Sequence, residues 1–373
     1  MKFTVLQENL QIALKTVSKV VPSKPQLPIL ATMLCEVTNG EVVLSATDLY
    51  MGIRIRVPAS IETEGTIAIP ARTFADTISV LSAGKLALEL TKQTLHIKSE
   101  KTKTTIQCQL HDDFPAFPDL EGEKVTVKLE TLQKIDTQLG FITSSDQARL
   151  VLTTILFKPQ DNGIEVVATD GFRLGRITTL ETSIALENAV MIPAKAISEV
   201  VRIAEQQQDK EVSFTISQQQ KQVFFTIGDT IVYVRLVEGD FPPYQKIMPE
   251  SFDFEVTIDG EQLLDHLKQA QVMAREVSNI ISFELQDEAV VLAVSGAAQG
   301  SFSASIPYNE ATKKPSEAFS ISFNSKYLLD YLQKNKPAQI TVKLNDPLKP
   351  VMLVNPTDET YQYVVMPFRV NQA

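Results

Sequence analysis

At 373 residues the chain is too long for one typical domain, and its 44% hydrophobic and 21% charged residues exclude intrinsic disorder. A net charge of -10 excludes a broadly basic, nucleic-acid-coated surface, although a local basic stripe can hide inside such a total. No apolar run approaches the roughly 18 residues that span a bilayer, and residues 1–10 lack a signal-peptide core, so a cytoplasmic protein with no membrane partner is expected.

In chain order, a strand at residues 3–5 runs into a helix whose apolar residues Leu10, Ala13, Leu14 and Val17 share one face. Two strands around a tight polar turn at Asp48 follow. A second helix is then opened by Ile69-Pro70-Ala71-Arg72, where proline fits because N–H groups of the first helical turn have no intrahelical partner. A β-rich stretch closes the unit at Asp113-Phe114-Pro115. The same order returns with Leu132, Ile135, Leu139 and Ile142, the turn at Asp170, Ile192-Pro193-Ala194-Lys195 and Asp240-Phe241-Pro242. It returns again with Leu263, Leu267, Ala270 and Ala274, a turn at Ser295, Phe323-Asn324-Ser325-Lys326 and Val365-Met366-Pro367. The chain therefore reads as three tandem α+β modules, each with two helices packed on one face of an antiparallel sheet. Boundaries near 121–124 and 249–252 give domains 1–122, 123–250 and 251–373. If their junctions repeat at a constant angle, such modules form an arc; edge strands are the natural joints, and head-to-tail contact between arcs can close a ring.

The chemistry of an enzyme is missing. His96, His111 and His266 form no HExxH arrangement, so neither a metal nor a catalytic role is expected. Cys35 and Cys108 lack CxxC spacing and read as buried, reduced thiols. No glycine loop suited to phosphate is present, and no cofactor is expected. Thr47-Asp48 and Thr169-Asp170 read better as turn residues bonding backbone N–H groups than as general bases. Lys15, Lys19, Lys134, Arg72, Lys195 and Lys326 are ordinary surface charges singly; repeated in an arc, they suit phosphate neutralisation without base reading.

The segments Ala168-Thr169-Asp170-Gly171-Phe172-Arg173-Leu174, Leu236-Val237-Glu238-Gly239-Asp240-Phe241-Pro242-Pro243-Tyr244 and Tyr363-Val364-Val365-Met366-Pro367-Phe368-Arg369 closely resemble the bacterial sliding clamps, the β subunits of DNA polymerase III. Residues 1–5, Leu27-Pro28-Ile29-Leu30 and Ile69-Pro70-Ala71-Arg72 match as well, so the resemblance runs end to end. It implies a DNA clamp fold and a head-to-tail homodimeric ring, with helices lining the hole. Such a ring encircles double-stranded DNA without sequence preference and confers processivity on the replicative polymerase. The implied partners are the DNA polymerase III alpha subunit, a clamp loader and other proteins carrying short clamp-binding peptides.

By the same resemblance, a peptide pocket between the second and third modules takes Leu152, Thr169, Gly171, Phe172, Arg173, Leu174, Pro242, Lys246 and Ile247 from one side. From the other come Asn324, Tyr327, Leu348, Pro350, Val364, Val365, Met366, Pro367, Phe368 and Arg369. Apolar walls with a few polar groups suit leucine and phenylalanine anchors of a linear peptide. For DNA the resemblance points to Lys24, Arg72 and Lys195, whereas Asp146, Ser278 and the tail Asn371-Gln372-Ala373 depart from the family pattern. For the dimer it points to pairing of residues 101–108 with residues 299–306, involving Lys101, Lys103, Ile106, Val272, Met273 and Phe302. Residues 299–304 carry no acid to meet Lys101 and Lys103, so backbone pairing and apolar contacts are expected to dominate. Two other classes compete: a repeat-built transferase with an interdomain active site, which needs a cationic cluster not found here, and a protein-only scaffold.

Overall fold

The computed structural model describes residues 1–368 apart from 39, 123, 162, 181–185, 218, 299 and 314–318. The first repeat supplies β1 (Lys2–Leu6), α1 (Gln7–Val17), β2 (Thr32–Thr38), β3 (Glu41–Thr47), β4 (Met51–Val57), β5 (Ala59–Thr63), β6 (Gly65–Pro70), α2 (Ala71–Ser79), β7 (Lys85–Thr91), β8 (Thr94–Lys98) and β9 (Lys103–Gln107). The second supplies β10 (Lys124–Lys128), α3 (Leu129–Leu139), β11 (Thr154–Gln160), β12 (Gly163–Thr169), β13 (Arg173–Leu180), β14 (Val190–Pro193), α4 (Ala194–Gln207), β15 (Glu211–Ser217), β16 (Gln222–Ile227) and β17 (Thr230–Arg235). The third supplies β18 (Phe254–Asp259), α5 (Gly260–Ala274), β19 (Ile280–Leu285), β20 (Ala289–Ala297), β21 (Gly300–Lys313), β22 (Phe319–Asn324), α6 (Ser325–Asn335), β23 (Gln339–Leu344), β24 (Val351–Asn355) and β25 (Asp358–Val365).

The expected helix faces are buried: Leu10, Ala13, Leu14 and Val17 in the first repeat, Leu132, Ile135, Leu139 and Ile142 in the second, Leu263, Leu267, Ala270 and Ala274 in the third. Each first helix is started in the same way, its first N–H donating to a distant carbonyl: Gln7 to Gly84, Leu129 to Lys210, Gly260 to Ala338. Pro70 and Pro193 prove to be the last strand residues rather than the first helical ones. Asn324 takes their place and caps α6, its side chain accepting the Lys326 N–H.

Two expectations on strands are corrected. A single sheet per module was expected, but in the first module β1, β5, β7, β8 and β9 form one sheet while β2, β3, β4 and β6 lie in another. With two helices to bury, an apolar surface on both sides is needed, and α1 packs on β1 as well as on β3 and β4. Ser295, expected in a turn, lies inside β20, because the third module's connection falls later, between Ala297 and Gly300.

By its contacts the chain divides into two units, residues 1–129 with 199–236, and residues 130–198 with 237–373. The division cuts through the central repeat because its strands continue its neighbours' sheets. In the first unit β17 pairs antiparallel with β4, giving the eight-stranded order β10-β15-β16-β17-β4-β3-β2-β6. In the second, β25 pairs antiparallel with β13 inside a twelve-stranded sheet.

These two joints have one register. Arg54 and Arg176 are equivalent, since each pairs through one intervening strand pair to Leu34 and Leu156, which pair in turn with Ala68 and Met191 before the second helices. The same ladder in the third module runs from Ser322 through Ser282 and Ala293 to Ser303. On the opposite edges Val234, Val365 and Ile106 are equivalent, because three residues later the N–H groups of Val237, Phe368 and Gln109 donate to the carbonyls of Met191, Ser322 and Ala68. Arg54 faces Ile231 and Arg176 faces Gln362, each three residues before its reference valine.

Candidate functional site

The candidate pocket lies within the second unit and is built on the turn between β12 and β13. The Thr169 hydroxyl donates to the Arg173 carbonyl (2.7 Å) and accepts the Gly171 N–H (3.1 Å), while Asp170 accepts the N–H groups of Phe172 (2.9 Å) and Arg173 (3.0 Å). Thr47 and Asp48 repeat this pattern at Leu49, Tyr50 and Met51, which is the structural reading of the Thr-Asp pairs. The turn needs a positive φ after the aspartate, supplied easily by Gly171 (94°) and at some cost by Leu49 (76°). Its next residue is thrust outward, so Phe172 is 56% exposed.

Phe172 stacks on Tyr327 from α6 (centroids 6.4 Å, 20°), and its carbonyl accepts the Met366 N–H at 2.9 Å. Beneath the stack, Arg173 donates to Asp170 (3.0 Å), Asp330 (2.8 Å) and the Phe141 carbonyl (2.9 Å), with its guanidinium 4.8 Å from the Tyr327 centroid. Leu174 and Val364 belong to an apolar cluster with Leu156, Val167, Met191, Tyr244, Met352 and Val354. Val237, Phe241, Met248 and Phe252 pack against this cluster and bring Pro242, Lys246 and Ile247 to its side.

The proposed lining residues therefore have two different standings. Phe172, Ile247, Leu348, Phe368, Gly171 and Lys246 are exposed, and Pro242, Asn324, Tyr327, Pro350, Met366 and Pro367 half-buried, so a ligand can touch them. Leu152, Thr169, Arg173, Leu174, Val364 and Val365 are buried and serve as foundation. Arg369 and the tail Asn371-Gln372-Ala373 lie outside the described residues.

At the first joint the counterpart space is filled by the chain itself. Leu174 facing Val364 is replaced by Gly52 facing Tyr233, and the Tyr233 ring lies so close over Gly52 that any Cβ there would overlap it. Phe117 packs edge-on against Tyr233 (4.9 Å, 85°), Arg54 lies 4.2 Å from the Phe117 centroid, and the Tyr233 and Thr47 hydroxyls bond at 2.6 Å. A separate cavity of about 670 Å³ in the first unit is lined by Leu27, Pro28, Ile29, Gln93, Gln109, Leu110 and Asp113, none of them a predicted peptide contact.

The DNA candidates Lys24, Arg72 and Lys195 are all exposed, and Arg72, Lys195 and Lys326 hold the second position of α2, α4 and α6. Lys134 is instead tied to Asp358 (3.1 Å) and Thr360 (3.2 Å). Asp146 caps a short helix through the Ala148 N–H and pairs with Arg149, which together lower its pKa. Ser278 is exposed in the left-handed region (φ 59°).

Of the dimer candidates, Lys101, Lys103 and Val272 are exposed and Met273 and Phe302 half-buried. Ile106 is already buried in its own sheet, so it offers a partner its backbone rather than apolar area. Cys35 and Cys108 are free and buried, and burial pushes the Cys35 thiol up to about 12. Among the described residues no cluster of three or more His, Cys, Asp or Glu is placed to hold a metal, and no helix is long and apolar enough to cross a membrane.

Sequence reasoning missed Asp330, which anchors Arg173, and Glu165, which accepts from Arg176 and Tyr244. A glutamate amid the apolar run of β12 was the available signal for the second, since such a group requires a partner.

Models of the N-terminal, central and C-terminal domains of the DNA polymerase III beta subunit match residues 1–118, 126–243 and 245–369. The beta sliding clamp of Synechocystis is 30% identical over 398 residues, covering 99% of this chain and all of that one. The sliding clamp of Bacillus subtilis shares the fold at a TM-score of 0.92 with 24% identity, covering 100% of each chain. The C. crescentus beta sliding clamp, solved with PEG at a region described as tethering the beta motif, superposes at a TM-score of 0.91 with 25% identity over 99% of each chain.

Proposed function

The chain belongs to the DNA polymerase III beta subunits and serves as a DNA sliding clamp; on that premise we propose that two copies close head to tail into a ring around duplex DNA. The domains are 1–122, 123–250 and 251–373. The observation that carries the ring is the pair of identical joints. Each joins the fourth-strand edge of one module to the last strand of the next, β4 to β17 and β13 to β25. Of that strand set, β9 ends its sheet, and residues 300–306 of β21 pair with β20 alone among the described residues. Transferring the register sets Ser303 of one chain opposite Lys103 of its partner and Phe302 opposite Thr104. Cysteines replacing Lys103 and Ser303 in one chain are expected to give a covalent dimer on mild oxidation, since opposed strand residues lie within disulfide reach. A dimer in sedimentation that never cross-links would refute this edge pairing.

Enclosure, rather than a tight grip, explains how an acidic protein with exposed cations such as Lys24, Arg72 and Lys195 holds DNA and still slides. After loading by an ATP-driven clamp loader, the protein is expected to remain on nicked circular DNA and to run off once the circle is linearised. Equal retention before and after cutting would argue for ordinary binding instead. The pocket around Phe172 and Met366 tethers the alpha subunit of the polymerase and other proteins with short clamp-binding peptides. The protein acts as a processivity factor in the cytoplasm, with no catalysis of its own.

A further inference from the structure

Glu165 sits in the middle of β12 among buried apolar neighbours and is 3% exposed. A carboxylate there is costly unless it is paired and hydrogen-bonded. Arg176 donates to its Oε2 through Nε (3.1 Å) and Nη2 (2.7 Å), and the Tyr244 hydroxyl donates to its Oε1. Burial, then the carboxylate itself, push the pKa of Tyr244 upward, which keeps the hydroxyl a proton donor. Tyr244 opens the short turn Tyr244–Lys246, and its ring lies in the apolar cluster with Phe241 edge-on at 6.1 Å. Pro242, Lys246 and Ile247 flank this anchored ring within the same short segment.

The first module lacks the arrangement. Val43 stands where the second has Glu165, by the same ladder that equates Ser45 with Val167, and Phe117 stands where the second has Tyr244. Arg54, the counterpart of Arg176, lies over the Phe117 ring, and its acid is the half-buried Glu36 of β2, 3.8 Å away. A carboxylate at the Glu165 position and the hydroxyl are thus absent together at the joint filled by Tyr233 and present together at the joint that carries the candidate pocket. In the first module the equivalent ring is held by Tyr233 and by Arg54 rather than by a hydroxyl bonded to a buried acid.

We propose that Glu165, Arg176 and Tyr244 form a latch that sets the position of the 242–247 wall, making Tyr244 a positioning residue for peptide capture. The inference rests on the pocket reading given above. In a titration of the full-length protein with a short peptide carrying leucine and phenylalanine anchors, Tyr244→Phe is expected to weaken binding by about five- to tenfold. Amide exchange should rise at residues 241–248 and stay unchanged in β18. Glu165→Gln can keep both links, its carbonyl accepting from Arg176 and its amide N–H donating to the Tyr244 oxygen, and should bind within about twofold of the unaltered protein, whereas Glu165→Ala should resemble Tyr244→Phe. Phe117→Leu, which loosens the half-buried ring packed on Tyr233 in the first module, should lower stability and leave affinity alone. Affinity of Tyr244→Phe within twofold of the unaltered protein, or an equal loss in Phe117→Leu, would overturn the latch. Normal binding by Met366→Glu would instead remove the pocket reading, and the latch with it.

Discussion

Replacing Met366 by glutamate is expected to abolish peptide capture, weakening it by roughly 30-fold or more, while the chain keeps its fold and its dimeric state. Met366 is half-buried just past the end of β25, beside Val364 and Val365 in the apolar floor. A peptide anchor seated against it would have to desolvate the new carboxylate. The backbone is indifferent to the change, because the residue's structural contact is its N–H to the Phe172 carbonyl. Leu174, an equally plausible target from sequence, is a poor one: at 1% exposure in the apolar cluster, a charge there would damage the fold before it tested the pocket. Loss of polymerase stimulation and of peptide binding with an unchanged sedimentation profile is the expected result. Normal stimulation by Met366→Glu would mean that the peptide site lies elsewhere.

The repeated modules were legible because their signals are local. Helix faces repeat every three or four residues, and the Thr-Asp turns carry their hydrogen bonds within four residues. What joins the modules was not legible, since β4 meets β17 and β13 meets β25 through backbone groups that every residue carries. The split of the first and second modules over two sheets was hidden for the same reason. The pocket was legible only as a set of residue types. Leu174 and Met366 look alike in sequence, but Leu174 lies inside β13 under the 237–252 segment, whereas Met366 follows the end of β25 and stays at the rim. Nor does sequence reveal why only one of two alike joints is filled by a ring of its own chain. That depends on Gly52 admitting the Tyr233 ring across the ladder, a pairing of residues 181 positions apart.

Arg173→Ala should have the largest effect on stability, a loss of about 3 kcal/mol from the second unit. The residue is 8% exposed, and its guanidinium satisfies Asp170, Asp330 and the Phe141 carbonyl at once. Burial works against its charge, but Tyr363, Asp330 and Asp170 outweigh it and raise its pKa, so it is a fixed cation at any working pH. Truncation strands two carboxylates of low exposure, and removing one partner of such a network costs more than the network is worth intact. Lysine cannot rescue it, because one ammonium does not span three acceptors in the plane that a guanidinium covers. The loss should also reach the site, since the same guanidinium lies under Tyr327, on which Phe172 stacks. Amide exchange should therefore quicken first along β13 and β25, where Arg173 pairs with Val365, and peptide affinity should fall with it. If Arg173 only decorated the joint, Arg173→Ala combined with Asp330→Asn would destabilise additively. Recovery of part of the loss in that double variant is expected, because the second change removes a stranded charge that the first created.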